Sequence, residues 1–292
     1  MRNTSEILNK ASWIKSDDIC PYVYVRTENH IIHPGSRHSQ LDWFKDYPIL
    51  YKNPLELKEL EFAEQIYHIE HRAFGPSNMA MPRWVFYDCA VMPGFVAGFA
   101  MRSSVLPESL KKNLRWSKDS EWTPLSLFII IPTMAKGEWV AHNLCSVNSF
   151  LEKEEQLYAL GFLSKAFGLW YANVETCIGM TQWLSPARKL HSHYGPMEVL
   201  SSYSPVHSHA KTLTYRLKVN TNCWLQFFTK EPDLEFLELY RPSGLMVEPK
   251  NESNLISIHH NIEKGTGPYF LSATEIAQKN LDESLTLYVP KT

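Results

Sequence analysis

Two side chains that are able to take part in catalysis lie close together in the sequence, in the segment His142-Asn143-x-Cys145. A histidine can act as a general base, and a cysteine thiolate can act as a nucleophile. The aromatic and β-branched residues around them predict a strand over 139–147. Side chains alternate between the two faces of a strand, so His142 and Leu144 share one face and Asn143 and Cys145 the other. This alternation favours a base at His142 and a small buried Cys145 over a catalytic pair.

The chain contains 12 histidines, several of them in closely spaced pairs that prompt a search for a metal site. The pairs are His68-x-x-His71, His191-x-His193 and His207-x-His209. The helical metalloprotease pattern H-E-x-x-H is absent, and no motif fixes a carboxylate beside any of the pairs. We therefore expect no bound metal. These pairs give little support to the hypothesis of a metal-dependent hydrolase.

Glycine is scarce, with 12 residues against 18 prolines, and this scarcity excludes two common ligand sites. The chain has neither G-x-G-x-x-G nor G-x-x-x-x-G-K-[ST], the loops that bring backbone close to dinucleotides and nucleotide phosphates. Lys and Arg together number 29 against 31 for Asp and Glu, which gives a formal net charge of −2. Such a balanced charge predicts no nucleic-acid partner.

The remaining composition predicts a cytoplasmic protein that does not enter a membrane. The five cysteines are scattered, without a C-x-x-C pair, so we expect neither a disulfide framework nor a zinc ribbon. The first 15 residues are polar and lack the apolar core of a signal peptide. No stretch approaches the roughly 18 apolar residues that a membrane span requires.

Hydrophobic spacing along the chain predicts an α/β protein with a mixed, mostly antiparallel sheet. Apolar residues recur every three or four positions over 54–74 and over 152–172, which predicts two amphipathic helices. Aromatic and β-branched runs at 83–90 and 95–103 flank a Pro-Gly turn signal and predict a hairpin. Further elements are predicted as strands at 125–131, 139–147, 176–183, 197–202 and 211–219, and a short helix over 185–194.

The pattern divides the chain into three parts. Residues 1–50 lack a sustained period and predict an irregular covering segment. Residues 51–220 carry the regular α/β pattern and form the predicted central domain, flanked by N- and C-terminal extensions. The elements in 221–292 are individually weak and predict either a continuation of the same sheet or a small subdomain.

The order of elements over 54–220 resembles that of the GCN5-related N-acetyltransferase (GNAT) superfamily. Ile69-Glu70-x-x-Ala73-Phe74 is similar to the first-helix pattern of that family, and 139–147 is similar to its central strand. Pro186-Ala187-x-x-Leu190-His191-x-x-x-Gly195 is similar to its terminal A-x-x-L-Y-x-x-x-G-F. The resemblance implies an acyltransferase that moves an acyl group from acyl-CoA, or from an acyl carrier protein, to the amine of a small molecule or peptide.

The resemblance also implies roles for individual residues. The strand segment Leu144, Cys145, Ser146 and Val147 is expected to hold the pantetheine arm of the donor. His142 is the candidate base for the amine. His191 stands where many members have a tyrosine that protonates the departing thiolate, and Tyr194, one helical turn further on, is the alternative proton donor.

One departure from the family pattern concerns the donor loop. Members with ordinary CoA chemistry carry Q/R-x-x-G-x-G/A, whose backbone N–H groups cradle the pyrophosphate. The frame with the usual spacing, 152–157, is acidic and contains no glycine. Slipping by four residues gives Gln156-x-x-Ala159-x-Gly161. This weak loop favours a carrier-protein donor, or else a non-catalytic binding module that has kept the fold and lost the donor site.

Overall fold

The computed structural model describes residues 9–26, 37–117, 119–224, 227 and 234–291. The chain divides into two compact units, of which the first ends at Val174 and the second begins at Glu175. Among the described residues, no helix is both long and apolar enough to cross a membrane.

Six strands and four α-helices of the first unit have bounds that lie within its described residues. The strands are β1 (Ile19–Tyr24), β2 (Leu50–Lys52), β3 (Phe95–Arg102), β4 (Trp122–Pro124), β5 (Ser126–Pro132) and β6 (Glu138–Ser146). The helices are α1 (Leu60–Phe74), α2 (Arg83–Val91), α3 (Glu108–Asn113) and α4 (Leu160–Tyr171). Among the described residues of this unit the strand order is β6-β5-β3-β1-β2, with β4 also paired to β3; the β1–β2 pair is parallel and the other pairs named here are antiparallel.

Helices cover both faces of this sheet. Phe99 of β3 meets Phe167 of α4 with ring centroids 6.1 Å apart, so α4 packs on the face that carries the odd-numbered side chains of β3. On the other face, Tyr22 of β1 lies opposite Gly98 and meets Phe62 of α1, with ring centroids 5.0 Å apart. The expected mixed α/β class, with a mostly antiparallel sheet flanked by helices, is therefore confirmed.

The second unit contains a fully antiparallel sheet among its described residues. Its strands are β7 (Thr176–Gln182), β8 (Met197–Ser201), β9 (Thr212–Lys218), β10 (Tyr240–Val247), β11 (Tyr269–Leu271) and β12 (Leu285–Pro290). The α-helices whose bounds lie within the described residues are α5 (Ala187–His191), α6 (Leu234–Leu239), α7 (Glu252–Glu263) and α8 (Ala273–Gln278). The order is β10-β12-β11-β8-β9-β7, so the strands of 221–292 continue the sheet formed by β7–β9.

Two predicted elements are wrong in type or extent. The expected first hairpin strand at 83–90 is the helix α2, whose buried residues Phe86, Cys89 and Ala90 follow helical spacing. The helix predicted over 152–172 begins only at Leu160, because the acidic segment before it forms a short 3-10 turn at Lys153–Glu155. The segment 1–50 includes β1, which is buried along its whole length and pairs with β3.

Candidate functional site

The central feature of the first unit is a β-bulge in β6. Ala141 pairs with Ile130 and Leu144 pairs with Phe128, so two residues of β6 stand opposite the single residue Ile129 of β5. The two residues are His142 and Asn143. A bulge bends the strand and redirects side chains, and bulges are frequent beside active sites. Here the bulge lies within the segment His142-Asn143-x-Cys145, whose residue types indicate catalytic chemistry.

The bulge presents its two side chains to different surroundings. His142 is exposed, and its Nδ1 lies 3.4 Å from Oδ1 of Asn143. Asn143 is half-buried, and its Nδ2 donates a 2.9 Å hydrogen bond to Oε1 of Glu70 on α1. If Nδ1 of His142 carries the proton, it donates to Asn143 and leaves Nε2 as a free acceptor. The three residues then form a line from an exposed imidazole to a buried carboxyl group.

Glu70 anchors the inner end of this line. Its side chain is fully buried, and its Oε1 also accepts a 3.0 Å hydrogen bond from the backbone N–H of Met81. Oε2 is buried and has no partner among the described residues. Burial raises the pKa of Glu70 to about 7, against the effect of the two hydrogen bonds, which lower it. Glu70 is therefore a buried acceptor whose carboxyl group changes protonation state around neutral pH rather than near its ordinary pKa.

The sequence patterns assign no catalytic or binding role to Glu70, although its position on a buried helix face is unusual for a charged residue. It lies on the buried face of α1 with Ile66 and Ile69, at spacings that place all three toward the core. A charged residue on such a face requires a partner. The sequence contained that anomaly, but the partner, Asn143, is 73 positions away and comes into register only through the bulge.

Cys145 is buried two residues beyond Asn143. Burial raises the pKa of its thiol well above the ordinary value, and the nearby Glu70 raises it further. A protonated, enclosed thiol is a poor nucleophile. The expectation that Cys145 is a small buried side chain rather than a nucleophile agrees with these surroundings.

The other predicted donor-binding residues follow along the end of β6. Leu144 is half-buried, whereas Ser146 and Val147 are buried. The N–H of Val147 donates to the carbonyl of Leu125 at 2.8 Å, so this N–H is already used within the sheet. Any contact of Val147 with a donor therefore involves its other atoms.

The loop after β6 carries the remaining predicted donor residues to the start of α4. Gln156 Nε2 donates to the carbonyls of Asn148 and Leu151 at 3.1 and 3.0 Å, so its side chain closes the loop on itself. Ala159 has a positive φ of 60° and precedes the first residue of α4. Gly161 lies in the first turn of that helix. The slipped frame, rather than the acidic one at 152–157, thus coincides with a helix N-terminus, where backbone N–H groups favour anions.

The second unit contains the two predicted proton donors. His191 ends α5, is buried, and its ring lies 5.5 Å from that of Tyr215. Tyr194 lies in the 3-10 turn that follows, is fully buried, and meets Trp224 edge-on at 5.2 Å. Burial raises the pKa of Tyr194 well above its ordinary value, so the phenol is protonated at neutral pH. The raised pKa makes this phenol a weaker acid than an exposed tyrosine.

The histidine pairs do not assemble into a metal centre in the described part of the chain. His68 Nε2 lies 3.2 Å from the carbonyl of Asn113, and His71 stacks on Tyr67 at 5.7 Å. Among the described residues, no three His, Cys, Asp or Glu side chains come together as metal ligands would.

No protein-family model matches the chain, and no curated protein matches it. Solved structures do. The ribosomal-protein-S18-alanine N-acetyltransferase of Escherichia coli covers 57% of this chain and 91% of its own, at 14% identity and a TM-score of 0.38. The NatC complex bound to Gag peptide and CoA covers 57% and 96%, at 11% and 0.38. Tetrahymena GCN5 covers 57% and 91%, at 8% and 0.35.

These identities and TM-scores describe a distant similarity in fold. With TM-scores below 0.5, the likeness by itself assigns no residue, donor or acceptor to this protein.

Proposed function

We propose that the protein is an N-acyltransferase in which His142 is the base that accepts a proton from the acceptor amine. The observation that carries the proposal is the bulge at His142–Asn143, which leaves the imidazole exposed and links it through Asn143 to Glu70. The imidazole is reachable by a substrate, whereas the carboxyl group is enclosed. Glu70 and Asn143 are positioning residues, because they act on the amine only through His142.

The reaction balances with the groups that this chain supplies. The amine nitrogen attacks the carbonyl carbon of the thioester, the C–N bond forms, and the proton of the nitrogen passes to Nε2 of His142. The C–S bond then breaks, and the thiolate leaves with a proton. Backbone N–H groups near a bulge lack regular ladder partners and are suited to stabilise the developing oxyanion. His191 or Tyr194 remains the sequence-based candidate for the proton that goes to sulfur.

The donor in this proposal is a thioester on a phosphopantetheine arm, carried by CoA or by an acyl carrier protein. The first turn of α4 at Gly161 fits a phosphate, since a helix N-terminus favours negative charge. Three nearby glutamates, Glu152, Glu154 and Glu155, are exposed and disfavour a second phosphate group. This charge pattern supports a carrier-protein donor, which presents one phosphodiester, over CoA.

The first experiment measures donor binding and transfer separately. Calorimetry with CoA, with 4′-phosphopantetheine and with holo acyl carrier protein identifies the donor, and a panel of primary amines with the matching acyl thioester reports turnover. We expect His142→Ala to lower kcat/KM by about 100-fold or more while leaving donor affinity unchanged. Added imidazole should restore part of the rate.

A matched control is His71→Ala, which removes another exposed histidine from the same unit. It should leave turnover unchanged. Full activity in His142→Ala would refute the role of the base. Absence of binding to all three donors would refute the transferase and favour the non-catalytic binding module. The double variant His191→Ala/Tyr194→Phe tests the proton donors: unchanged turnover would reject both.

A further inference from the structure

A half-buried arginine without an acidic partner lies in the last turn of α1, in the first unit. This residue is Arg72, and no carboxylate pairs with it among the described residues. Three other arginines of the unit do pair with a glutamate: Arg83 and Arg115 with Glu64, and Arg102 with Glu121. A guanidinium that is partly removed from water is stabilised by an anion, so Arg72 is a candidate for binding an anionic group of a ligand.

Neutral groups hold the guanidinium of Arg72 in place. Its Nη1 donates to the backbone carbonyl of Asn113 and, at 3.0 Å, to Oδ1 of the same residue. The amide of Asn113 is itself fixed, because its Nδ2 donates to the carbonyl of Ser109 at 2.9 Å. The guanidinium carbon lies 4.2 Å from the centroid of the Phe150 ring. The position of the group is therefore set before a ligand binds, which lowers the entropy cost of binding.

A second edge of the same guanidinium is available to a ligand. Nε and Nη2 of Arg72 have no hydrogen-bond partner among the described residues, and neither nitrogen is enclosed. The N–H groups on these two nitrogens are parallel, and their spacing matches two oxygens of a phosphate or carboxylate. Arg72 therefore presents a fixed and accessible fork to an oxyanion.

The position of Arg72 beside β6 indicates which oxyanion this is. Helix α1 and the chain of β6 advance in the same direction, since Glu70 contacts Asn143 and Arg72 contacts Phe150. In the proposed function, the thioester lies at the bulge and the pantetheine arm follows 144–147. The phosphate at the far end of the arm then lies beyond this segment, toward Phe150.

We infer that Arg72 binds the phosphate of the donor's phosphopantetheine arm, and this inference rests on the proposed transferase function. The N–H groups of Nε and Nη2 donate to two phosphate oxygens, and the guanidinium supplies the positive charge. A cation is needed here because the loop after Phe150 carries three exposed glutamates, at 152, 154 and 155. Arg72 is a binding residue and takes no part in the proton transfers at His142.

The test compares 4′-phosphopantetheine with pantetheine, which differ by one phosphate group. Calorimetry measures the affinity of each compound for the parent and for Arg72→Gln. The parent should bind 4′-phosphopantetheine at least about 10-fold more tightly than pantetheine, because two charge-assisted hydrogen bonds are added. In Arg72→Gln this preference should fall to about 2-fold or less, with the affinity for pantetheine unchanged.

Two further variants sharpen the comparison. Arg102→Gln removes another arginine that stacks on an aromatic ring of the same unit, at 4.6 Å from Trp122, and should leave the preference unchanged. Arg72→Lys keeps the charge but loses the planar fork, so its preference should be intermediate, at about 3-fold. This variant also tests the inference should Arg72→Gln fail to fold. A parent without the preference, or an equal preference in the parent and the Arg72 variants, would overturn the inference.

Failure of this inference is distinguishable from failure of the proposed function. If the phosphate preference persists in Arg72→Gln while His142→Ala still loses turnover, the role of Arg72 alone is wrong. If the parent binds neither compound and transfers no acyl group, the transferase is wrong and the role of Arg72 is wrong with it.

Discussion

Glu70 makes the stability of the first unit depend on pH, and Glu70→Gln should remove that dependence. The folded protein keeps the carboxyl group fully buried, with Oε1 accepting two hydrogen bonds and Oε2 facing no donor. Protonation at Oε2 preserves both bonds, and so does an amide that places its NH₂ group there. Glutamine therefore copies the neutral form of the residue.

The sign and the size of this pH dependence follow from the pKa of Glu70. In the unfolded chain a glutamate ionises near its ordinary pKa of 4.5, whereas burial raises the folded value to about 7. Between these values the folded state binds the proton more strongly, so the free energy of unfolding falls as pH rises. The stabilisation is fully present below pH 4.5 and is lost once pH passes 7. The loss amounts to about 3 kcal/mol in all, with about 2.5 kcal/mol of it between pH 5 and pH 8.

Urea unfolding of parent and variant, followed by tryptophan fluorescence from pH 5 to pH 8, measures this loss. Other titrating groups are common to both proteins, so the difference between the two free energies of unfolding isolates Glu70. The parent should lose about 2.5 kcal/mol relative to Glu70→Gln over this range. Glu154→Gln, an exposed acid in the same unit, controls for the substitution itself. A difference that stays constant to within about 0.5 kcal/mol would refute the assigned burial effect.

Four further substitutions have expected outcomes. Gly98→Ala should destabilise the protein by about 3 kcal/mol or prevent folding, measured by urea unfolding, because a Cβ there would meet the carbonyl of Ser126. Cys145→Ala should keep steady-state turnover within about 3-fold, since the thiol is protonated and buried. Arg188→Ala should cost about 3 kcal/mol in thermal or urea unfolding, because its buried guanidinium donates to two backbone carbonyls. Gly161→Glu should weaken donor binding in calorimetry about 10-fold more than Gly161→Gln does, because only the charged side chain repels phosphate.

Local patterns predicted most of the strands but not all of the helices. Strands such as β5 and β7 are apolar or β-branched runs bounded by polar turns, so their residues alone nearly fix them. The segment 83–90 failed because its aromatic content favours a strand, whereas tertiary packing selects the helical spacing of Phe86, Cys89 and Ala90. The predicted start of α4 was wrong for a related reason. The charged residues before Ala159 continue the apparent helical pattern toward the N-terminus, although the chain turns at Ala159.

The site shows where sequence reasoning reaches its limit. Strict alternation along β6 predicted that His142 shares a face with Leu144, and this is wrong: Ala141 and Leu144 pair with Ile130 and Phe128, which share one face of β5, so Leu144 lies on the face of Ala141. Alternation cannot reveal an added residue, because a bulge is defined by the partner strand rather than by the strand itself. In the bulge, His142 and Asn143 stand opposite the single residue Ile129 of β5. Asn143 there bonds to Glu70 and contacts the imidazole of His142. The bulge thus fixes the orientation of the exposed His142 from the core.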